Sequence, residues 1–215
     1  MKTAPPPAGF HASNQNVSKG NSIGDARHAM ATAYGHAHES KARSDLNKML
    51  NDAQRVVRGA SVFKAATDRP MRDLENAIAS TVEGKRVTDA ALEDRVSYKN
   101  ENLASISEAT EMRGYLRSLP AAERDMVLQR ASNEMDLRTL RAIAAAPAVL
   151  SGLSHEMRAH ARETFLSLVA PEQLAKSKEL GGQIASARHF ADQMRQAIQD
   201  SVDWQSAAEI EKLSA

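Results

Sequence analysis

Between Leu119 and Pro171 the chain repeats one pattern three times: a proline or capping residue, then a short run with apolar side chains at three- and four-residue steps. Pro120 opens the first run, with Met126, Val127 and Ala131 on one face. Asp136 opens the second, with Leu137, Leu140, Ile143 and Ala144, and Ser154 opens the third, with Met157, Ala161, Phe165, Leu168 and Val169. Pro147 and Pro171 mark the remaining breaks. A period near 3.6 residues fits a helix with one buried face, not a strand, whose period is two. Asp and Ser are preferred N-caps and proline is tolerated at a helix start, so the punctuation and the periodicity agree. The step Asn133-Glu134-Met135-Asp136 reads as a tight turn. The link APAVLSGL (146–153) is too apolar for an ordinary surface loop, so Val149, Leu150 and Leu153 are expected in the core.

The flanks are also helical. A stripe through Leu46, Met49, Leu50, Ala53, Val56, Val57, Ala60 and Phe63 predicts a helix from Ser44, as N-cap, to about Thr67. Asp68-Arg69-Pro70 is expected to break it and start a short helix through Leu74, Ile78 and Val82 that stops near Gly84. Thr88 is the expected N-cap of a long helix to Leu119, with Leu92, Val96, Leu103, Ile106, Ala109, Leu116 and Leu119 as its stripe; Lys99 and Asn100 interrupt that stripe and Gly114 weakens its far end. Tyr98 and Tyr115 are expected half-buried. After Pro171 a helical period runs through Leu174, Leu180, Ile184, Ala187, Phe190, Ala191, Met194, Ile198 and Val202, with Trp204 as a packing cap. Gly181-Gly182 inside it costs about 2 kcal/mol against two alanines, which predicts a kink or a close helix crossing. Aromatic residues are 4% of the chain, so the core must come from aliphatic side chains and alanine, as in packed helices.

The expected fold is therefore all-α: a single multi-helix, bundle-like domain of about seven helices spanning residues 44–204, with the three-helix module 119–171 at its centre. Residues 25–43 are expected to form a marginal helix or linker with little apolar stripe. Residues 1–24, with Pro5, Pro6 and Pro7 and no acidic residue before Asp25, are expected to be a disordered tail. Residues 205–215 are expected to fray.

Several functions are disfavoured at once. There is no cysteine, which removes disulfides, thiolate metal sites and cysteine nucleophiles. No run approaches the ~18 apolar residues of a membrane span, and MKTAPPPAGFHASNQ lacks the continuous apolar core of a Sec signal peptide. Residues 1–69 carry a net charge of about +5 and residues 70–215 about −4 by the usual formal count. Lys41, Lys48, Arg55 and Arg58 are the candidate anion or nucleic-acid contacts, although Asp45 and Asp52 sit three residues before Lys48 and Arg55 and are expected to compensate them.

No motif carries catalysis. His155-Glu156-Met157-Arg158-Ala159-His160 resembles a zinc-protease helix in composition, but its histidines are five apart instead of four and fall on different faces. His28, His36 and His38 are spaced eight and two, again wrong for one helical metal face. The carboxylates do not form the Glu and Glu-x-x-His repeats of a di-iron bundle, and there is no glycine-rich phosphate loop or nucleophile elbow. A helix-turn-helix reading of 120–146 would make Asp136–Ala146 the recognition helix, with Arg138 and Arg141 pointing outward.

The run LPAAER, then DLRTLRAIAAAPAVLSGL from Asp136, then SLVAPEQL resembles small helical proteins encoded among the structural genes of tailed bacteriophages and prophages. The resemblance covers residues 118–173 and is a packing pattern. It implies a virion, assembly or accessory role and transfers no catalytic or binding residue. The leading expectation is a non-enzymatic structural or protein-interaction protein, with no cofactor and no metal, acting through helix faces on a protein partner or on itself. It would sit in the host cytoplasm or the virion, without a membrane segment. A nucleic-acid-binding accessory protein and a secreted effector using residues 1–24 as an export leader are the alternatives.

Overall fold

The computed structural model describes residues 22–99 and 101–214. Among them all regular structure is helical: α1 (Ser22–Asp45), α2 (Asp52–Val96), α3 (Leu103–Ser118), α4 (Ala121–Asn133), α5 (Leu137–Ala144), a 3-10 turn (Ala148–Leu150), α6 (His155–Val169), α7 (Pro171–Ser201) and α8 (Trp204–Ser214). The all-α expectation holds. Of the tail expected over 1–24, residues 1–21 lie outside the described residues, and Ser22 to Gly24 belong to α1. The helices pack as two compact units where one domain was expected. One unit takes the chain up to Glu83 and again from Gly181; the other is Gly84–Leu180.

The first unit is built on narrow seams. Ile23, Met30 and Ala37 recur every seven residues on α1 and are buried with Tyr34. On α2 the buried set is Ala60, Phe63, Thr67, Leu74, Ala77 and Ile78, and on α7 it is Ile184, Ala187, Ala191 and Met194. Three- and four-residue steps of this kind bring helices together along one stripe each. The α1 seam is half alanine and tyrosine, so its low apolar content hides it in the sequence, and residues 25–43 lie in a helix that contributes Met30, Tyr34 and Ala37 to the core where a marginal helix was expected. The short turn 46–51 makes α1 and α2 antiparallel neighbours. Trp204 caps this core as expected, its indole N–H donating to the Ile198 carbonyl at 3.2 Å. Residues 205–214 do not fray out of the helix: they continue α8, with Ala207 buried.

Three boundaries differ from the sequence reading around α2. Ser44 is a buried residue in the last turn of α1 and caps nothing. The cap of α2 is Asn51, whose side-chain oxygen accepts from the Gln54 N–H at 2.8 Å while Gln54 Oε1 accepts from the Asn51 N–H at 3.0 Å. This reciprocal pair satisfies two end donors, the logic of a capping box. Leu46 and Met49 therefore fall in the turn and are exposed. Pro70 sits inside α2 without ending it. An interior proline costs about 3 kcal/mol, whereas Phe63 before it and Leu74 and Ile78 after it are buried in one core, each contributing roughly 1.5–3 kcal/mol. Breaking the helix would forfeit more than it relieved. Thr88 likewise lies mid-helix, its hydroxyl donating to the Gly84 carbonyl at 2.9 Å. The break comes instead after Val96, where the stripe was interrupted, and Asn102 caps α3 by accepting from the Ser105 N–H at 2.9 Å.

The second unit is centred on α5. Thr139, Leu140, Ala142, Ile143 and Ala144 are all buried in this eight-residue helix, which packs against α3, α4 and α6. Around it lie Leu92 and Val96 of α2, Leu116 of α3, Leu128 and Ala131 of α4, and Ala161, Phe165 and Leu166 of α6. The expected caps Asp136 and Ser154 are in place, with Ser154 Oγ accepting from the Met157 N–H at 3.1 Å. Some inward assignments were off by a residue or two. Leu128 is buried and Met126 exposed, Leu166 is buried and Leu168 exposed, and Tyr115 is exposed. In the 146–153 link, Ala148, Ser151 and Leu153 fill the core, whereas Val149 and Leu150 face outward. The 3-10 turn, with three residues per turn, rotates those two away.

Candidate functional site

The four basic candidates gather at one end of the α1–α2 hairpin. Lys41 reaches Asp45 at 2.6 Å, and Arg55 reaches Asp52 at 3.1 Å and the Asn47 carbonyl at 3.2 Å. The Lys41 stem also lies across Gly59, where an added Cβ would stand 3.6 Å from its Cγ and Cε. Arg55 is compensated by Asp52 as expected, but Asp45 serves Lys41 and not Lys48. Lys48 and Arg58 are exposed. Two of the four cations are thus occupied locally, which weakens the set as a phosphate grip.

The histidines do not converge on a metal. His36 is exposed and 4.0 Å from Glu39; His155 and His160 are exposed on α6. Among the described residues no group of three or more His, Asp or Glu side chains is arranged to hold a metal ion. His38 instead joins a polar pin between α1 and α7. Its Nε2 lies 3.0 Å from Ser201 Oγ, and Tyr34 Oη lies 3.0 Å from the same oxygen. The Ser201 hydroxyl donates to the Ala197 carbonyl at 2.6 Å. One hydroxyl has one proton and two lone pairs, so this arrangement is saturated when His38 and Tyr34 both donate to it. The rings of Tyr34, His38 and Phe63 meet edge to face, with centroids 4.6–5.9 Å apart. Burial, then the nearby Lys41 charge, lowers the His38 pKa from its ordinary value.

In the second unit the arginines hold the backbone. Arg141 donates to the Val96 carbonyl at 3.2 Å and the Ser97 carbonyl at 2.6 Å, pairs with Glu101 at 2.7 Å and stacks over Tyr98 at 4.5 Å. Arg158 donates to the Ala144 carbonyl at 2.9 Å and the Ala146 carbonyl at 2.5 Å, and Arg113 to the Ala142 carbonyl at 3.1 Å. Arg124 donates to the Leu119 carbonyl at 2.8 Å and to that of Gly152. The last carbonyls of a helix lack intrahelical partners, and each fork supplies donors where they are missing. Arg141 was expected outward as a base-reading side chain; it is committed to closing α2. Five of the eight residues of α5 are buried, so it forms the core of its unit; of the two outward arginines expected for base reading, only Arg138 is exposed.

A cleft of about 320 Å³ in the first unit is lined by Glu75, Ile78, Arg188, Ala191, Asp192 and Arg195. Arg195 is held by Glu75 and by Asp192, both at 2.7 Å, which leaves Arg188 as the cation facing solvent there.

A group of exposed apolar side chains lies in the second unit. Arg113 on the Ala142 carbonyl and Arg138 at 3.9 Å from Glu108 set α3 beside α5 with both N-termini at one end. That end carries Leu103, 85% exposed, Met135, 63%, Leu137, 42%, and Ile106, 38%. The sequence placed Leu103, Ile106 and Leu137 in the core stripe, because periodicity alone does not tell a buried apolar face from an uncovered one. Among known proteins the chain matches no family model, no curated protein and no solved structure.

Proposed function

We propose that this chain is a non-enzymatic helical protein that works by protein–protein contact, through self-association or a partner, in the assembly of a tailed-phage particle. What supports the contact reading is the apolar end formed by Leu103, Ile106, Met135 and Leu137. Isolated exposed apolar residues are ordinary, but several large ones gathered at one end of a unit mark an interaction surface. The first unit adds Leu46 and Met49 in its α1–α2 turn. The phage assignment rests on the resemblance of residues 118–173 to small phage helical proteins. Tagged protein expressed during phage production should sediment with particles or assembly intermediates. Its absence from both would remove the phage part of the reading and leave the contact part standing.

A further inference from the structure

We infer that α2 and α7 each carry a built-in weak turn, at Gly84 and at Gly181–Gly182, where the helix opens while the packed segments on both sides stay folded. Both helices are continuous through these residues, yet the packing of the chain passes from one compact unit to the other there, between Glu83 and Gly84 and between Leu180 and Gly181. Glycine inside a helix needs a reason, since alanine would stabilise it. The usual reason is a close neighbour or a left-handed backbone. Neither applies: a Cβ added at Gly84 or at Gly182 would meet nothing within 4 Å, and both residues are helical.

The surroundings are also thin. No residue of α2 from 79 to 91 is buried, although Ile78 and Leu92 on either side are. In α7 no residue from 178 to 183 is buried, between buried Ser177 and Ile184. At Gly84 the carbonyl also accepts from the Thr88 hydroxyl, a back-bond that competes with the helical ladder and favours bending. Segments with few buried contacts open at low free-energy cost without global unfolding. Gly84 and Gly182, with no packing role for the missing side chain and set in stretches that bury no residue, are what such a device requires.

Hydrogen–deuterium exchange on the full chain tests this. Amides at 82–88 and 180–185 should exchange much faster than those at 72–78 and 188–194 in the same helices. Gly84→Ala and Gly182→Ala should each slow exchange in their own segment by about fivefold, the ratio that corresponds to a glycine-to-alanine difference near 1 kcal/mol. Uniform protection along α2 and α7 would overturn the inference. So would fast exchange that neither alanine variant slows, since the glycines would then not be its cause.

Discussion

The backbone N–H of Asp136 donates to the Ala131 carbonyl at 2.8 Å, so the residue that opens α5 also closes α4. Met135 between them has φ 56°, and its N–H points to the Ser132 carbonyl at 3.4 Å. Together these bonds form the Schellman pattern of a helix end. The Asp136 carboxylate then accepts from the Arg138 and Thr139 N–H groups and, at 2.6 Å, from the Thr139 hydroxyl. Burial opposes its charge, but the Thr139 and Arg138 hydrogen bonds prevail and hold its pKa below the ordinary value.

Asp136→Ala should therefore cost about 1–2 kcal/mol, the loss of a well-bonded N-cap. Asp136→Asn, still a capping side chain, should cost less. Urea denaturation checks both, and equal midpoints for Asp136→Ala and the parent protein would contradict the assignment. Because the folded pKa is lowered, this contribution is present above the unfolded carboxylate pKa near 3.9 and is lost as pH falls through the folded value.

At Met135 the left-handed backbone is strained for a residue with a side chain, by roughly 1–2 kcal/mol. Met135→Gly should raise stability by somewhat less, because glycine also adds freedom to the unfolded chain. Gly152 is the converse. Its φ is +70°, and a Cβ there would meet Arg124 Nη1 at 2.8 Å. Gly152→Ala should destabilise by at least about 1 kcal/mol. A neutral Gly152→Ala would mean that Arg124 does not hold the 146–153 link in place.

Leu140 is fully buried in α5 and Leu150 is 44% exposed. Leu140→Ala should cost about 2–5 kcal/mol, and Leu150→Asp within about 0.5 kcal/mol of nothing. Comparable losses would show that Leu150 is core after all. This pair also measures what the sequence could reveal. Capping chemistry is local, so Asp136, Ser154 and the proline-marked module from Pro120 to Pro171 were legible from residue types and spacing. Burial is tertiary. Whether Leu150, Leu103 or Met126 is covered depends on partners far along the chain, which a 3.6-residue period does not specify. Pro70 misled for the same reason: local propensity favours a break, and packing of Phe63, Leu74 and Ile78 in one core carries α2 through it. The polar pin of His38 and Ser201 joins residues 163 apart and left no sequence signal beyond a histidine in a helix.

His38 gives a pH dependence with a definite sign. Burial, then Lys41, lowers its folded pKa below the unfolded value of 6.5, so the unfolded chain binds the extra proton more readily. Stability from this group is complete above pH 6.5 and declines as pH falls through the folded pKa. The polar and charged groups around it are Tyr34 and Lys41 from α1 and Ser201 from α7, with the Phe63 ring from α2. Melting temperature followed from pH 7.5 to 5 should fall, and His38→Asn should flatten that part of the profile. An unchanged slope in the variant would assign the acid sensitivity elsewhere.

Light scattering on the purified chain is the most direct test of the contact account. The monomer is 23.3 kDa. The account predicts a heavier species, of the chain with itself or with a co-purifying partner, that reverts to monomer when Leu103 and Leu137 are both changed to Asp while helicity is retained. A wild-type protein that stays strictly monomeric at high concentration, with no partner co-purifying, would contradict it.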